Sequence, residues 1–496
     1  AARADVQSID LRGKPVLEDA TLKYQGDDIF EATDSEDFDT FHNGDAGAPA
    51  GKHAWTSDIV IAQSEACIDE NNPAWLDSGG GASRASFFAC DNGPCSQGGL
   101  TQCSFSTLDE KHGTKVAGLM VGDFMDGQDP LVAPGDDRIM TGTCPECRLL
   151  FAQDQNNNDR EKVMDFFCEQ GADLYESSVA EGTSCDGNGS FDASIEALAD
   201  CDIVFVKGMG NDGSTGGVCT ARYPADHPWT FAVAGMDSVS PCNTPAAYYT
   251  SSCDFADGSS MGGALYNTAG IGTASIVDLT GPWSHGGLIE ATTSGPVQYV
   301  EGNGNSLSGP TVTGLMAEMM DWYNVHVSSS IFFENRMRNF MLLMGDRSVD
   351  DAGTSRAGNF FDPRWGAGRV GLVPFDDKSV WGVSRHSATL SAGDSWNFTV
   401  TIPSSATFFK AVVWHDGTDY FEEPMIGLTL DPVGCATATK SVNRRDSKAM
   451  LVYNSTPLSG CTQIDVTIES IRDGVFYPER RFHFAAYADT EDERHF

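Results

Sequence analysis

The 496-residue chain reads as an α/β protein, a parallel sheet flanked by helices, with an all-β sandwich after it. Three observations predict this. In the middle of the chain, short apolar strand signals such as Ile59-Val60-Ile61-Ala62 and Ile203-Val204-Phe205-Val206 alternate with helical ones. In one of these, Arg160 to Glu169, the residues Val163, Met164, Phe166 and Phe167 make an apolar face. From about residue 386 the period changes to two, with Trp396, Phe398, Val400 and Ile402 alternating with polar residues, and strand signals follow at Phe408 to Trp414 and Ile464 to Ile468. The length is too great for one core and predicts two or three domains. Residues 1–55 mix acidic runs such as Thr33-Asp34-Ser35-Glu36-Asp37 with glycine and alanine, and read as an acidic N-terminal arm with little core of its own. Residues 56–385 then make the α/β domain, and residues 386–496 the sandwich.

Composition narrows the function classes. The net charge is −40, from 71 acidic against 31 basic residues, which opposes binding to nucleic acid or an anionic membrane and favours solubility. No apolar run approaches a membrane span, and the opening residues Ala1-Ala2-Arg3-Ala4-Asp5 do not read as a signal peptide. Fourteen cysteines allow up to seven bridges and suggest an oxidising compartment. Cys144-Pro145-Glu146-Cys147 reads as a local disulfide, since no second Cys-x-x-Cys follows that would complete a zinc site. Cys90, Cys95 and Cys103 fall in a Gly/Ser-rich insertion where bridges would replace a missing core, and Cys435 is expected to pair with Cys461. Asn188, Asn397 and Asn454 begin Asn-x-Ser/Thr sequons, acceptors for glycosylation in a secreted protein.

The chemistry concentrates in three segments. Gly304-Asn305-Ser306-Leu307-Ser308-Gly309-Pro310 puts a serine at a tight turn just ahead of an apolar, helix-forming segment, with the proline close to the first helical turn. A serine hydroxyl needs a base to become a nucleophile, and His112 in His112-Gly113-Thr114-Lys115-Val116-Ala117-Gly118 can supply one. A tetrahedral oxyanion needs amide donors, and Asn211 in Gly210-Asn211-Asp212-Gly213, just after the strand signal ending at Val206, can supply one. Taken together and in this order, His-Gly-Thr-x-Val-Ala-Gly, Gly-Asn-x-Gly and Gly-x-Ser-x-Ser-x-Pro resemble the subtilisin-like serine proteases, the subtilases. Weaker similarities lie at Gly142 to Ala152, Asp173 to Ala180, Tyr223-Pro224-Ala225, Phe231 to Gly235 and Gly366 to Val370, so the likeness covers roughly residues 56–385. The C-terminal segment resembles the jelly-roll-like domain of larger subtilases.

The resemblance implies a subtilisin-like sheet and a secreted, extracellular serine endopeptidase acting on protein or peptide substrates. Ser306 would be the nucleophile, His112 the base and Asn211 the oxyanion donor. No cofactor is needed for that chemistry, structural calcium is a family habit, and an inhibitory prodomain would be removed. The acidic insertion Asp123-Phe124-Met125-Asp126-Gly127-Gln128-Asp129 offers oxygen ligands, but no metal residue is assigned. Ser178, Val179 and Ala180 with Gly208, Met209 and Gly210 would wall the substrate pocket, where Glu181 and Asp212 hint at basic side chains. The triad acid departs from the family's strand-ending Asp. Aligning Ile68-Asp69 and Pro73 brings Glu65 onto that position, while Gln63 and Asp69 are its competitors. Lys115, Glu176 and Asn305 are further departures, so the alternative is a catalytically silent protein of this fold with an extracellular binding, adhesion or assembly role.

Overall fold

The computed structural model describes residues 59–489, except 77–82, 91–93, 99, 101–102, 123–141, 145–146, 155–159, 183–188, 216–218, 237–254, 263–275, 291–297, 327–333, 344, 346–363, 371–383, 416–424, 446–447, 454–457, 459 and 472–478. The acidic arm, the insertion at 123–129 and the sequons at Asn188 and Asn454 lie outside the described residues.

The α/β region is built on an eight-stranded sheet. Its strands are β1 (Val60–Glu65), β2 (Ala85–Ala89), β3 (Ser96–Gln97), β4 (Arg148–Gln153), β5 (Leu174–Glu176), β6 (Val204–Gly208), β7 (Thr230–Met236) and β8 (Leu279–Pro282), in the spatial order β3-β2-β4-β1-β5-β6-β7-β8. Every pairing from β2 to β8 is parallel, and only the short edge strand β3 runs antiparallel. β6 and β7 are buried along their whole length, as expected of a sheet covered on both faces. A separate antiparallel pair, β9 (Ser284–Glu290) and β10 (Gln298–Asn303), leads into the serine segment.

Helices α1 (Leu108–Val121), α2 (Arg160–Gln170), α3 (Asp192–Asp200), α4 (Asn305–His326) and α5 (Glu334–Leu343) complete this region. α1 starts on a capping box. The Thr107 hydroxyl accepts from the Glu110 amide at 3.3 Å, and Glu110 accepts from the Thr107 amide at 3.2 Å. Glu110 also accepts from Ser104 and Ser106, and the Ser104 hydroxyl leads the hydrogen bonds that hold its carboxyl down to about 2. α1 and α4 pack side by side, and a single hydroxyl ties them: Thr143 Oγ1 lies 3.1 Å from both Leu119 O and Thr311 O. A Cβ at Gly314 would come within 1.9 Å of that oxygen, so the close crossing requires glycine there.

Disulfides join Cys67 to Cys103, Cys90 to Cys95, Cys144 to Cys147, Cys168 to Cys201 and Cys435 to Cys461. The local Cys144–Cys147 bridge and the Cys435–Cys461 bridge are the two pairings the sequence suggested. Cys67–Cys103 ties the loop after β1 to the segment just ahead of α1.

From Ser384 onward the chain forms two four-stranded antiparallel sheets. One has the order β11 (Ser384–Leu390), β18 (Arg480–Asp489), β13 (Phe408–His415) and β16 (Lys448–Tyr453). The other has the order β12 (Ser395–Thr401), β17 (Gln463–Ile471), β14 (Met425–Val433) and β15 (Lys440–Arg445). Val400, Ile426, Leu428, Ile464, Val466 and Ile468 of the second sheet meet Phe409, Ala411, Val413, Leu451 and Phe484 of the first in one core. β17 buries alternate residues, as a sandwich strand with one wet face should, whereas β13 is buried along its whole length. Its second face lies on the α/β region: Phe408 and Val412 share a core with Met337, Phe340 and Met341 of α5. Two buried lysines cross the same junction. Lys410 donates to Leu343 O at 3.0 Å and Gly345 O at 2.6 Å, while Lys448 pairs with Asp278 and donates to Ile276 O and Val277 O at 3.2 and 3.3 Å.

Candidate active site

The acid side of the site begins in β1. The apolar signal stops at Ala62, yet the strand continues to Glu65, because its polar residues find partners inside the fold. Gln63 Nε2 donates to Gly113 O at 3.0 Å, and Ser64 Oγ lies 2.6 Å from the Tyr175 hydroxyl. Glu65 is therefore the strand's last residue and is buried beneath α1. A Cβ at Gly113 would sit 2.3 Å from Cys67 O and 2.9 Å from Glu65 Cβ, so only glycine after the histidine lets the helix approach this closely.

His112, the fifth residue of α1, faces Glu65 with Nδ1 3.4 Å from Oε1. The side chain of His112 is 29% exposed and that of Glu65 only 5%, so the ring can be reached while its partner cannot. The contact is at ion-pair distance, and Glu65 Oε1 makes no closer hydrogen bond. Burial alone would lower the pKa of the imidazole, but the Glu65 carboxylate outweighs it, and the ring is held above its ordinary value. The competing candidates point elsewhere. Gln63 is engaged with Gly113 O, and Asp69 Oδ1 accepts from the Asn71 amide while its own amide donates to Thr114 Oγ1.

The serine side is organised by two asparagines. Asn211 Oδ1 accepts from the Asn305 amide at 2.9 Å, which fixes the amide plane and leaves Nδ2 on the other side. Asn305, fully buried, donates from its own side chain to Gly210 O and to Ser259 Oγ, the latter at 3.0 Å, so it locks the asparagine loop to the start of α4. Gly304, at φ +140°, sits between the two groups: a Cβ there would lie 3.3 Å from Asn211 Nδ2 and 3.4 Å from Ser306 Oγ. Ser306 is half-buried, and Leu307 beside it packs on Leu119 of α1. Ser306 is the second residue of α4 rather than part of a turn ahead of it, and Pro310 lies inside the helix. The helix tolerates this because the Ser306 carbonyl, which would otherwise accept from residue 310, lies 3.1 Å from Ser178 Oγ as a substitute donor. Acid meets base, and amide meets serine. No hydrogen bond joins Ser306 Oγ to His112 among the described residues.

Ser178, Val179 and Ala180 are half-buried on the loop after β5, Gly210 is half-buried, and Asn211 is exposed. Gly208 and Met209 lie deeper. A Cβ on Gly208 would strike Asn305 O at 2.2 Å, and the Met209 side chain is buried among Ala221, Ala232 and Ile276. Asp212 is bound by Arg222 through both oxygens, whereas Glu181 accepts from the neutral Ser190 hydroxyl. Sequence reasoning missed the arrangement around Glu176, whose Oε1 lies 2.7 Å from Ser178 Oγ and which is fully buried near Lys207. Among the described residues no three His, Cys, Asp or Glu side chains converge to hold a metal ion.

The sequence profile of the subtilase family matches residues 74–343. No curated protein matches significantly. Several solved structures are similar. The self-cleaved protease domain of PatA is 18% identical, covering 64% of this chain and 95% of its own, with a TM-score of 0.43. The PatG macrocyclase domain is 15% identical over 64% of this chain and 90% of its own, with a TM-score of 0.46. A lanthipeptide protease is 14% identical over 73% of this chain and 96% of its own, also with a TM-score of 0.46.

Proposed function

The chain belongs to the subtilase family, and from that premise we propose that it is a secreted serine endopeptidase that hydrolyses protein or peptide substrates through an acyl-enzyme on Ser306. The observation that carries this reading is the half-exposed His112 paired with the buried Glu65 at 3.4 Å, on a helix packed against the one that bears Ser306. His112 takes the hydroxyl proton as Ser306 attacks the carbonyl, the Asn211 amide and the Ser306 backbone N–H hold the oxyanion, and His112 then protonates the leaving amine. Water repeats the sequence and frees the serine. Glu65 keeps the imidazole in the required tautomer and stabilises the imidazolium as it forms.

Secretion is part of the same proposal. The disulfides support an oxidising compartment, and an inhibitory prodomain removed on maturation would keep the enzyme silent until export. The test is a serine-directed fluorophosphonate probe together with cleavage of an unstructured protein. Wild type is expected to label and cleave, and Ser306→Ala to do neither. Equal cleavage by Ser306→Ala, or no labelling of folded wild type, rejects the reading and leaves a binding scaffold.

A further inference from the structure

The hydrogen bonds around Glu176 do not balance unless that residue carries a proton. Pro310 has no amide hydrogen, so the Ser306 carbonyl lacks its helical donor. Ser178 Oγ lies 3.1 Å from that carbonyl and 2.7 Å from Glu176 Oε1. One hydroxyl has one hydrogen and faces two acceptors. An ionised Glu176 would take that hydrogen and leave the Ser306 carbonyl bare. A protonated Glu176 instead donates to Ser178 Oγ, which donates onward to the Ser306 carbonyl, and each hydrogen is used once.

We propose that Glu176 is a positioning residue for the reaction: a carboxylic acid whose proton, relayed through the Ser178 hydroxyl, holds the main chain of the nucleophile Ser306 in place. The inference rests on the reading of Ser306 given above. The surroundings favour the neutral acid. Glu176 is fully buried, its Oε2 has no hydrogen-bond partner, and no cation lies within ion-pair distance among the described residues. The groups facing it are Glu65 from β1, His112 from α1, Lys207 from β6, Ser178 on its own loop, and α4, where a Cβ on Gly309 would lie 3.6 Å from Oε1. Lys207 donates to Gly208 O at 3.3 Å rather than to the carboxyl. Burial first, and the Glu65 charge second, push Glu176 up to about 8, while burial pushes Lys207 down.

Above that range the Glu176 proton passes to solvent, the carboxylate captures the Ser178 hydrogen, and the Ser306 carbonyl loses its donor. The expected signature is a fall in kcat on the alkaline side, with KM little changed. Glu176→Gln keeps a donor that does not titrate and is expected to abolish that alkaline limb. Glu176→Leu takes away the competing acceptor, leaves the Ser178 hydrogen to the Ser306 carbonyl at every pH, and should likewise lack the alkaline limb. Ser178→Ala removes the donor itself at every pH and should lower kcat about tenfold below the limb, the scale of one neutral hydrogen bond, and it serves as the test if the Glu176 variants do not fold. An alkaline limb unchanged in Glu176→Gln overturns the proposal.

A readout independent of activity separates this inference from the peptidase reading. The infrared spectrum of wild type minus Glu176→Gln should contain a carboxylic-acid carbonyl band at about pH 6 that is gone by about pH 10. Absence of the band at about pH 6 overturns the relay even in an active enzyme. The band in a protein that fluorophosphonate does not label supports the proton on Glu176 and rejects the nucleophile.

Discussion

Among the described residues, buried charge at the domain junction and buried charge at the candidate site are satisfied to different degrees. At the junction between the sheet region and the sandwich, Lys448 holds Asp278 and two carbonyls, and Lys410 holds two more. At the candidate site, Glu65 Oε1 and Glu176 Oε2 have no hydrogen-bond partner, and Lys207 reaches a single carbonyl at 3.3 Å. Both places lie out of water, so the contrast is one of use rather than depth. A charge that holds two bodies together is surrounded by partners, because an unmet one would cost stability. A charge that must change its protonation or polarise a neighbour keeps unspent capacity.

That contrast can be broken or sharpened by substitution. The largest effect is expected at Glu65→Gln, which should lower kcat on the order of 10⁴-fold, a magnitude carried over from other serine proteases whose triad acid is neutralised. The same variant removes the charge that holds His112 up. In wild type the base becomes available only as pH rises through a raised imidazole pKa, so the acid limb of kcat/KM should lie above the ordinary histidine range and move down in Glu65→Gln. A loss below tenfold would transfer the role to another group.

Lys448→Met leaves Asp278 buried without its cation and should cost about 3–5 kcal/mol in urea unfolding, with kcat of the folded fraction unchanged. A change in kcat there would mean that junction and site are coupled. Asn211→Ala removes one oxyanion donor and should lower kcat about 10²- to 10³-fold with KM nearly constant. The smallest effect belongs to Thr107→Ala, which removes the cap of α1 at an exposed position and should cost about 1 kcal/mol in thermal or urea unfolding.

Much of the fold was legible because its signals are local. Apolar periodicity marked the α2 face, the β6 strand and the alternation of β12 and β17. Hydropathy failed where burial is satisfied by specific partners. It ended β1 at Ala62 because Gln63 and Ser64 read as polar, although Gly113 O and Tyr175 receive them. It could not tell that β13 is covered on both faces, since Lys410 looks like a solvent-facing residue until its two carbonyl partners are seen. Motif spacing placed Ser306, His112, Asn211 and Glu65 as candidates. The Glu176–Ser178–Ser306 chain was beyond it, because that arrangement depends on a proline four residues after one serine and a side chain some 130 positions upstream, as the 128-residue separation of Ser178 and Ser306 records.

The Lys410 contact has a consequence in time as well as in space. Translation delivers α5 before the lysine that closes its final carbonyls, and before the β13 face that covers Met337 and Met341. During synthesis the α/β region therefore keeps its α5 flank open until β13 has emerged and docked.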